Sequence, residues 1–125
     1  MLKVLLVEDN QTFREVFRNN LAAHFPWLII DEAANGNEAL EKIRAVTPDL
    51  IFMDIRLPGK NGLQLTQEIK KSYPKMIIAL LTGYDIPEYR EAAFKIGADR
   101  FFIKESLNWQ EVEKLVTPQG QTSVS

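Results

Sequence analysis

The sequence predicts an α/β domain built on an open, doubly wound sheet of five parallel strands with helices on both faces. Short aliphatic or β-branched runs recur five times along the chain, and segments with helical spacing of apolar residues separate them. Most of these runs are continuous rather than alternating, which is typical of parallel strands that are covered on both faces. The predicted strands are KVLLV (3–7), WLIIDEA (27–33), DLIFMD (49–54), MIIALLT (76–82) and RFFIK (100–104).

Each segment between or after these strands places apolar residues on one side of a predicted helix. Helix breakers agree with this division: Asn35-Gly36 precedes the second helix, Thr47-Pro48 ends it, and Gly97 stands where a C-terminal cap is expected. The (βα)5 alternation predicts the strand order 2-1-3-4-5 of flavodoxin-like folds. The predicted helix faces are Phe13, Val16, Phe17 and Leu21; Leu40 and Ile43; Leu65, Ile69 and Tyr73; Tyr89, Ala93 and Ile96; and Trp109, Val112, Leu115 and Val116.

Length and composition indicate one ordinary globular domain. The chain has 125 residues, of which 46% are hydrophobic and 26% are charged. The absence of cysteine excludes disulfides, thiol chemistry and a Cys-based zinc site. No stretch resembles a secretory signal or approaches the ~20 apolar residues of a membrane helix, so we expect a cytoplasmic protein without a membrane partner. A net charge of −2 with scattered Lys and Arg gives no electrostatic footprint for nucleic acid.

Polar side chains stand at the carboxyl ends of four of the five predicted strands. In open α/β sheets, ligands bind beyond the carboxyl ends of the strands, and in the predicted order these four strands are neighbours. Three carboxylates gathered there would repel one another unless a cation joined them, and oxygen ligands without His or Cys favour Mg²⁺ or Mn²⁺. The residues are Glu8 and Asp9 directly after strand one, Asp54 at the end of strand three, Thr82 at the end of strand four and Lys104 at the end of strand five.

Each of these residues also has a simpler interpretation. Asp9 or Asn10 would serve as the N-cap of the first helix, and for Asp9 taken alone the cap is the better explanation. Lys104 would equally form a structural ion pair with the carboxylates. A metal, an ammonium group and a hydroxyl around a carboxylate are, however, what phosphoryl transfer to an aspartate uses. Asp54 is the candidate acceptor because it lies at the end of the predicted central strand, with the other groups on either side.

Two glycines near Asp54 have predicted structural roles. Pro58-Gly59 fits the central positions of a type II turn, in which glycine relieves the strain of a positive φ. Gly62 is expected to let the third helix begin close to the site.

Four motifs stand in a fixed order along the chain: LLVEDN, DLIFMDIRLPGKNG, ALLTG and GADRFFIK. The spacing is 45 residues from Asp9 to Asp54, 28 from there to Thr82 and 22 more to Lys104. Together the motifs resemble the receiver domains of two-component response regulators over residues 2 to about 116. We therefore expect a receiver domain at 1–117, with a polar tail or the start of a linker at 118–125.

The resemblance implies a phosphorylation site and its metal. Asp54 is similar to the phospho-acceptor, and Asp9 is similar to the direct metal ligand. Glu8 would hold the metal through water, and the backbone carbonyl of Arg56 would supply a further ligand. Glu8-Asp9 stands where many receivers have Asp-Asp, which is a variant that the family tolerates.

The resemblance also implies a switch. Thr82 is similar to the hydroxyl residue that moves toward the phosphoryl group, and Lys104 to the cation that bonds it. Phe101 occupies the switch-aromatic position, which is often Tyr in the family, so its rotation would bring no hydroxyl. Arg56 and Tyr84 correspond to rim residues that tune dephosphorylation by controlling access of water.

The implied partner is a sensor histidine kinase, with homodimerisation on phosphorylation as a further expectation. Glu105 follows Lys104 where many receivers have Pro, and this Lys-Glu-Ser continuation resembles receivers that carry a LuxR/NarL-type DNA-binding domain. DNA would be contacted only through such an output domain, which this chain does not include. A stand-alone receiver, or a degenerate receiver that serves only as an interaction module, is the alternative.

Two other classes of function are disfavoured by the same residues. A flavin-binding electron carrier would need a Ser/Thr/Gly-rich phosphate loop after strand one, where this chain has VEDNQ. A hydrolase acting on external phosphate esters would want a second acid two residues after the nucleophile, where Arg56 stands. We expect no enzyme in the usual sense, but a signalling receiver that promotes only its own aspartyl phosphorylation and dephosphorylation.

Overall fold

A computed structural model describes residues 2–117, and the predicted tail at 118–125 lies outside these residues. Five parallel strands form one sheet in the order β2-β1-β3-β4-β5, which confirms the predicted doubly wound, flavodoxin-like fold. The strands are β1 (Lys3–Val7), β2 (Ile29–Ala33), β3 (Leu50–Asp54), β4 (Ile77–Thr82) and β5 (Arg100–Ile103). The helices are α1 (Gln11–His24), α2 (Gly36–Ala45), α3 (Gly62–Ser72), α4 (Pro87–Lys95) and α5 (Trp109–Val116), with a 3₁₀ turn at Lys104–Ser106.

The sheet separates two apolar cores because successive side chains of each strand point to opposite faces. Ile51 of β3 packs on one face with residues of α2, α3 and α4. Phe52, the next residue, packs on the other face with Phe17 of α1 and Val112 of α5. All residues of β3 are buried, as expected for the central strand of a sheet that is covered on both faces. The central strand therefore delivers Asp54 from a segment that is buried throughout.

Two predictions are wrong, one about where a strand begins and one about which side chain a helix buries. Strand β2 begins at Ile29 rather than at Trp27, whose indole N–H instead donates to the carbonyl of Val116 across 3.2 Å. Val16 was expected on the buried face of α1, but it is 52% exposed. The apolar face of α1 is centred on Phe17 and Leu21, and a residue adjacent to Phe17 lies about 100° around the helix.

Asparagine caps and glycine turns set where the helices begin and end. Asn10 caps α1, since its side chain accepts from the amide of Phe13 at 2.9 Å, so the cap falls to Asn10 and not to Asp9. Gly59 has φ +76° and Gly97 has φ +98°, which fits the predicted turn and the predicted helix end. Within residues 2–117 none of the helices has the length and apolar character needed to cross a membrane.

Candidate functional site

Three carboxylates meet at the carboxyl edge of the sheet. Glu8 and Asp9 follow β1, and Asp54 ends the neighbouring strand β3. One oxygen from each of the three carboxylates lies within 4.8 Å of the others. Glu8 is fully buried, Asp54 is buried and Asp9 is exposed, so the cluster opens to solvent on the side of Asp9.

The Lys104 ammonium bridges two of these carboxylates. Its Nζ lies 2.6 Å from Oε1 of Glu8 and 3.3 Å from Oδ2 of Asp54. The same Nζ lies 4.2 Å from the centre of the Phe13 ring, close enough for a cation–π contact. Because Lys104 follows β5 and Glu8 follows β1, this contact spans the sheet edge across β3 and β4.

Burial dominates the electrostatics of Glu8. Loss of hydration raises the pKa of its carboxyl group above the usual value of 4.5, and the nearby charge of Asp54 acts in the same direction. Hydrogen bonds from Lys104 and from the amide of Asn10 oppose this rise without cancelling it. The single ammonium of Lys104 therefore neutralises the negative charge of the three carboxylates only in part.

These residues fit a hard divalent cation. The donor set consists of carboxylate oxygens, which Mg²⁺ and Mn²⁺ prefer, and the exposed Asp9 leaves room for the waters that Mg²⁺ keeps. Glu8, Asp9 and Asp54 would hold such an ion.

The backbone around Asp54 is tightly packed. The amide of Arg56 donates to Oδ1 of Asp54 at 3.3 Å, and the amide of Gly62 donates to the carbonyl of Ile55 at 2.7 Å. A Cβ at position 62 would lie 2.2 Å from the carbonyl oxygen of Asp54. The start of α3 therefore lies directly against the peptide that carries Asp54, as predicted for Gly62.

The predicted switch residues lie on β4 and β5. Thr82 is fully buried and follows Leu81, the residue that pairs with Asp54 across the sheet. Its hydroxyl accepts a hydrogen bond from the amide of Tyr84 at 3.1 Å. Phe101 is buried in β5, and the guanidinium of Arg90 lies 4.7 Å from the centre of its ring. Neither side chain joins the carboxylate cluster through a hydrogen bond in the part of the chain that the structure describes.

Arg56 and Tyr84, the predicted rim residues, contact each other. The guanidinium of Arg56 lies 3.8 Å from the centre of the Tyr84 ring, and its Nε donates to the Tyr89 hydroxyl at 3.2 Å. Arg56 therefore links the loop after β3 to α4. Tyr89 was expected on the packed face of α4, and the contact of its hydroxyl with Arg56 was not predicted.

Two further residues support the cluster and were not recognised from sequence. Phe13 was assigned to the core, but its ring also faces the Lys104 ammonium. Arg14 was not singled out, yet its Nη1 donates to the backbone carbonyl of Glu8 at 2.6 Å. A basic residue in the helix after an acidic strand end is too common to be recognised as part of a site.

Comparison with known proteins agrees with the fold. Residues 4–117 match the family model of the response regulator receiver domain. The chemotaxis protein CheY of Halobacterium salinarum is 38% identical over 102 residues, which cover 82% of this chain and 83% of that protein. The oxygen regulatory protein NreC of Staphylococcus carnosus is 31% identical over 117 residues, which cover 93% of this chain and 54% of NreC.

A solved structure shows the same likeness. The response regulator TrrA of Thermotoga maritima, in complex with Mg²⁺-BeF, has a TM-score of 0.80 at 34% identity, covering 93% of this chain and 100% of that one. The chain spans about half the length of several curated relatives, NreC among them. Since the family model covers nearly all of the described residues, the chain belongs to the receiver domain family of two-component response regulators.

Proposed function

We propose that this receiver accepts a phosphoryl group on Asp54 from a sensor histidine kinase or a small acyl phosphate. The observation that supports this most directly is the bridging of Glu8 and Asp54 by the Lys104 ammonium beside a third carboxylate. A carboxylate, an ammonium group and a set of oxygen ligands lie at one edge of the sheet, and phosphoryl transfer to an aspartate would use such a set.

The proposed reaction is a displacement at phosphorus. A carboxylate oxygen of Asp54 attacks and a new O–P bond forms. With the kinase, the bond between phosphorus and the donor histidine nitrogen breaks and its electron pair stays on that nitrogen. With an acyl phosphate, the bond between phosphorus and the acyl oxygen breaks and a carboxylate leaves. Glu8, Asp9, Asp54 and the backbone carbonyl of Arg56 would hold Mg²⁺ or Mn²⁺, with Glu8 acting through water. When bound, the metal supplies positive charge that offsets the charge on the phosphoryl oxygens.

The new group brings about two negative charges and strong acceptors to a mostly buried edge. Lys104 then moves from Glu8 to the phosphoryl oxygens, and the Thr82 hydroxyl leaves the Tyr84 amide to donate a hydrogen bond to them. Both movements shift an existing equilibrium of the surface between β4 and α5, with Phe101 in the switch position. Arg56 and Tyr84 form a rim that limits access of water to the aspartyl phosphate.

The proposed output is control of transcription. Relatives named as transcriptional regulatory proteins are about twice as long as this chain, which would leave room in them for a DNA-binding domain. Phosphorylation would favour a homodimer, and DNA would be contacted only by the output domain. A stand-alone receiver is the alternative, supported by the CheY relative, of which the chain covers 83%.

Intact-mass measurement after incubation with Mg²⁺ and acetyl phosphate tests the phosphorylation directly. We expect wild type to gain the mass of one phosphoryl group, in an adduct that is stable in acid and labile in base. Asp54→Asn should gain none because an amide is not a nucleophile toward phosphorus. Asp49→Asn is the matched control, since Asp49 is exposed and lies just before the opposite end of the same strand. It should react like wild type.

Two results would contradict the proposal. Absence of an adduct on wild type would favour the degenerate receiver that acts only through protein contacts. An equal adduct on Asp54→Asn would move the acceptor to another residue.

A further inference from the structure

Arg14 connects three elements behind the carboxylate cluster. It belongs to α1, and its Nη1 donates to the carbonyl of Glu8 at the end of β1. Its Nε donates to Oε1 of Glu32 on β2 at 3.0 Å. The side chain is 17% exposed, so a long and flexible group is held in one conformation by two separate strands. A planar guanidinium can make both bonds at once.

The bond to Glu8 completes a set that fixes this residue. The Glu8 amide donates to the carbonyl of Ala33 at 3.0 Å, and its two carboxylate oxygens accept from Lys104 and from the Asn10 amide. The remaining polar group is the Glu8 carbonyl, which Arg14 holds. This carbonyl belongs to the peptide that joins Glu8 to Asp9, so its orientation sets where the exposed Asp9 lies relative to Asp54.

We propose that Arg14 is a positioning residue for the divalent cation of this site, which it serves by holding the Glu8-Asp9 peptide. The proposal rests on the function proposed above, since it assumes that this cluster holds Mg²⁺. Groups that orient metal ligands from behind commonly change metal affinity by ten- to a hundredfold when they are removed.

A purely electrostatic role for Arg14 predicts the opposite sign. A positive charge close to a cation site weakens cation binding, so its removal should strengthen binding of Mg²⁺. If Arg14 acts by geometry, its removal should instead weaken binding. Lysine at this position keeps the charge but is a point charge without the planar fork, so it should fail to restore affinity.

Arg18 provides a matched control on the same helix. Its Nε lies 2.9 Å from Oε2 of Glu32, in an ion pair with the carboxylate that also binds Arg14. Arg18→Ala therefore removes an arginine and a Glu32 contact while leaving the bond to the Glu8 carbonyl in place.

Calorimetric titration of the chain with MgCl₂ tests the proposal, using wild type, Arg14→Ala, Arg14→Lys and Arg18→Ala. We expect both Arg14 variants to bind Mg²⁺ about tenfold more weakly than wild type. Arg18→Ala should bind within about twofold of wild type. Urea midpoints measured in EDTA check whether each variant is folded, because a merely structural role would lower the midpoint of Arg14→Ala and leave the Mg²⁺ affinity of the folded protein unchanged.

The outcomes separate this proposal from the one on which it rests. Unchanged or tighter Mg²⁺ binding by Arg14→Ala would overturn the positioning role and leave the phosphorylation site intact. Full rescue by Arg14→Lys would show that a single ammonium donor is enough and would overturn the role given to the planar guanidinium. An equal loss in Arg18→Ala would assign the effect to the Glu32 ion pairs. Absence of Mg²⁺ binding by wild type would overturn both proposals.

Discussion

The carboxyl group of Glu8 is fully buried, and its hydrogen bonds offset the cost of burying its charge only in part. The carboxyl group accepts from Lys104 and from Asn10, yet burial keeps its pKa above the usual value. A raised pKa means that the folded chain binds this proton more tightly than the unfolded chain does. The free energy of unfolding therefore falls as pH rises from about 4.5 through the folded pKa.

Glu8→Gln should remove this pH dependence. Glutamine has nearly the same size and retains an oxygen that accepts a hydrogen bond, but it does not ionise. We expect the free energy of unfolding of the variant, minus that of wild type, to increase as pH rises through this window and then to level off. One proton limits the slope to about 1.4 kcal/mol per pH unit. Urea titrations in EDTA between acid and neutral pH measure the difference.

Glu111→Gln is the control of opposite sign. The hydrogen bond and charge of Lys114 hold the pKa of Glu111 below its usual value, so this carboxylate contributes stability that is lost as pH falls. Its variant should lose stability relative to wild type as pH rises. A flat difference for Glu8→Gln would contradict the raised pKa of Glu8.

The sequence predicts which residues reach the site better than it predicts the hydrogen bonds and ion pairs that they form there. The carboxylates, Thr82 and Lys104 follow strands that parallel pairing brings to one edge, so their proximity could be inferred from order alone. The shorter contact of Lys104 with Glu8 than with Asp54, and the contact of its ammonium with the Phe13 ring, depend on side-chain conformations. No pattern in the sequence encodes those conformations.

The first turn of α3 is held tightly against the end of β3. Asn61 and Gln64 form a reciprocal capping box, which fixes the first turn of the helix. Gly62 in that turn approaches the peptide of Asp54 so closely that a side chain has no space. The element therefore sets the position of the candidate acceptor through the backbone.

Gly62→Ala should destabilise the chain and disturb the site together. The new methyl group would lie 2.2 Å from the carbonyl oxygen of Asp54, so either α3 or the end of β3 must move. Overpacking costs about 1–3 kcal/mol in folded cores, and a contact with backbone belongs at the upper end. Urea denaturation measures the loss, and the rate of adduct formation with acetyl phosphate measures the displacement of Asp54.

Gly83→Ala is the comparison, because a Cβ at position 83 meets no atom within 4 Å. This variant should stay within about 1 kcal/mol of wild type. An equally small loss in Gly62→Ala would show that α3 shifts without cost.

Element bounds were least predictable where local and tertiary forces compete. The WLIIDEA run reads as one strand by composition, but only its last five residues pair with β1, and Trp27 packs toward α5 instead. Val16 satisfies a helical spacing, yet it lies outside the arc that the sheet covers. Both outcomes depend on how far a neighbouring element extends, which a local window of sequence does not contain.

Across the whole molecule, strand order and the division into two cores follow from the alternation of strands and helices. The edge strand β2 poses a different problem, since its outer backbone groups are a template for pairing with another chain. Side chains occupy part of this edge. The Glu32 amide donates to Oδ1 of Asp31 at 2.8 Å, and Lys42 donates both to that carboxylate and to the Glu32 carbonyl.

Lys42→Ala should therefore increase self-association while changing folding stability little. The substitution frees the Glu32 carbonyl on a strand whose Ile29 is already 43% exposed, which favours edge-to-edge pairing. Loss of an exposed ion pair costs about 0–1 kcal/mol, so the free energy of unfolding should remain close to that of wild type. Light scattering at rising protein concentration measures the association.

Lys114→Ala is the control, because it removes the same charge from α5 instead, and it should remain like wild type. Equal association of both variants would assign the effect to lost charge and not to the open edge.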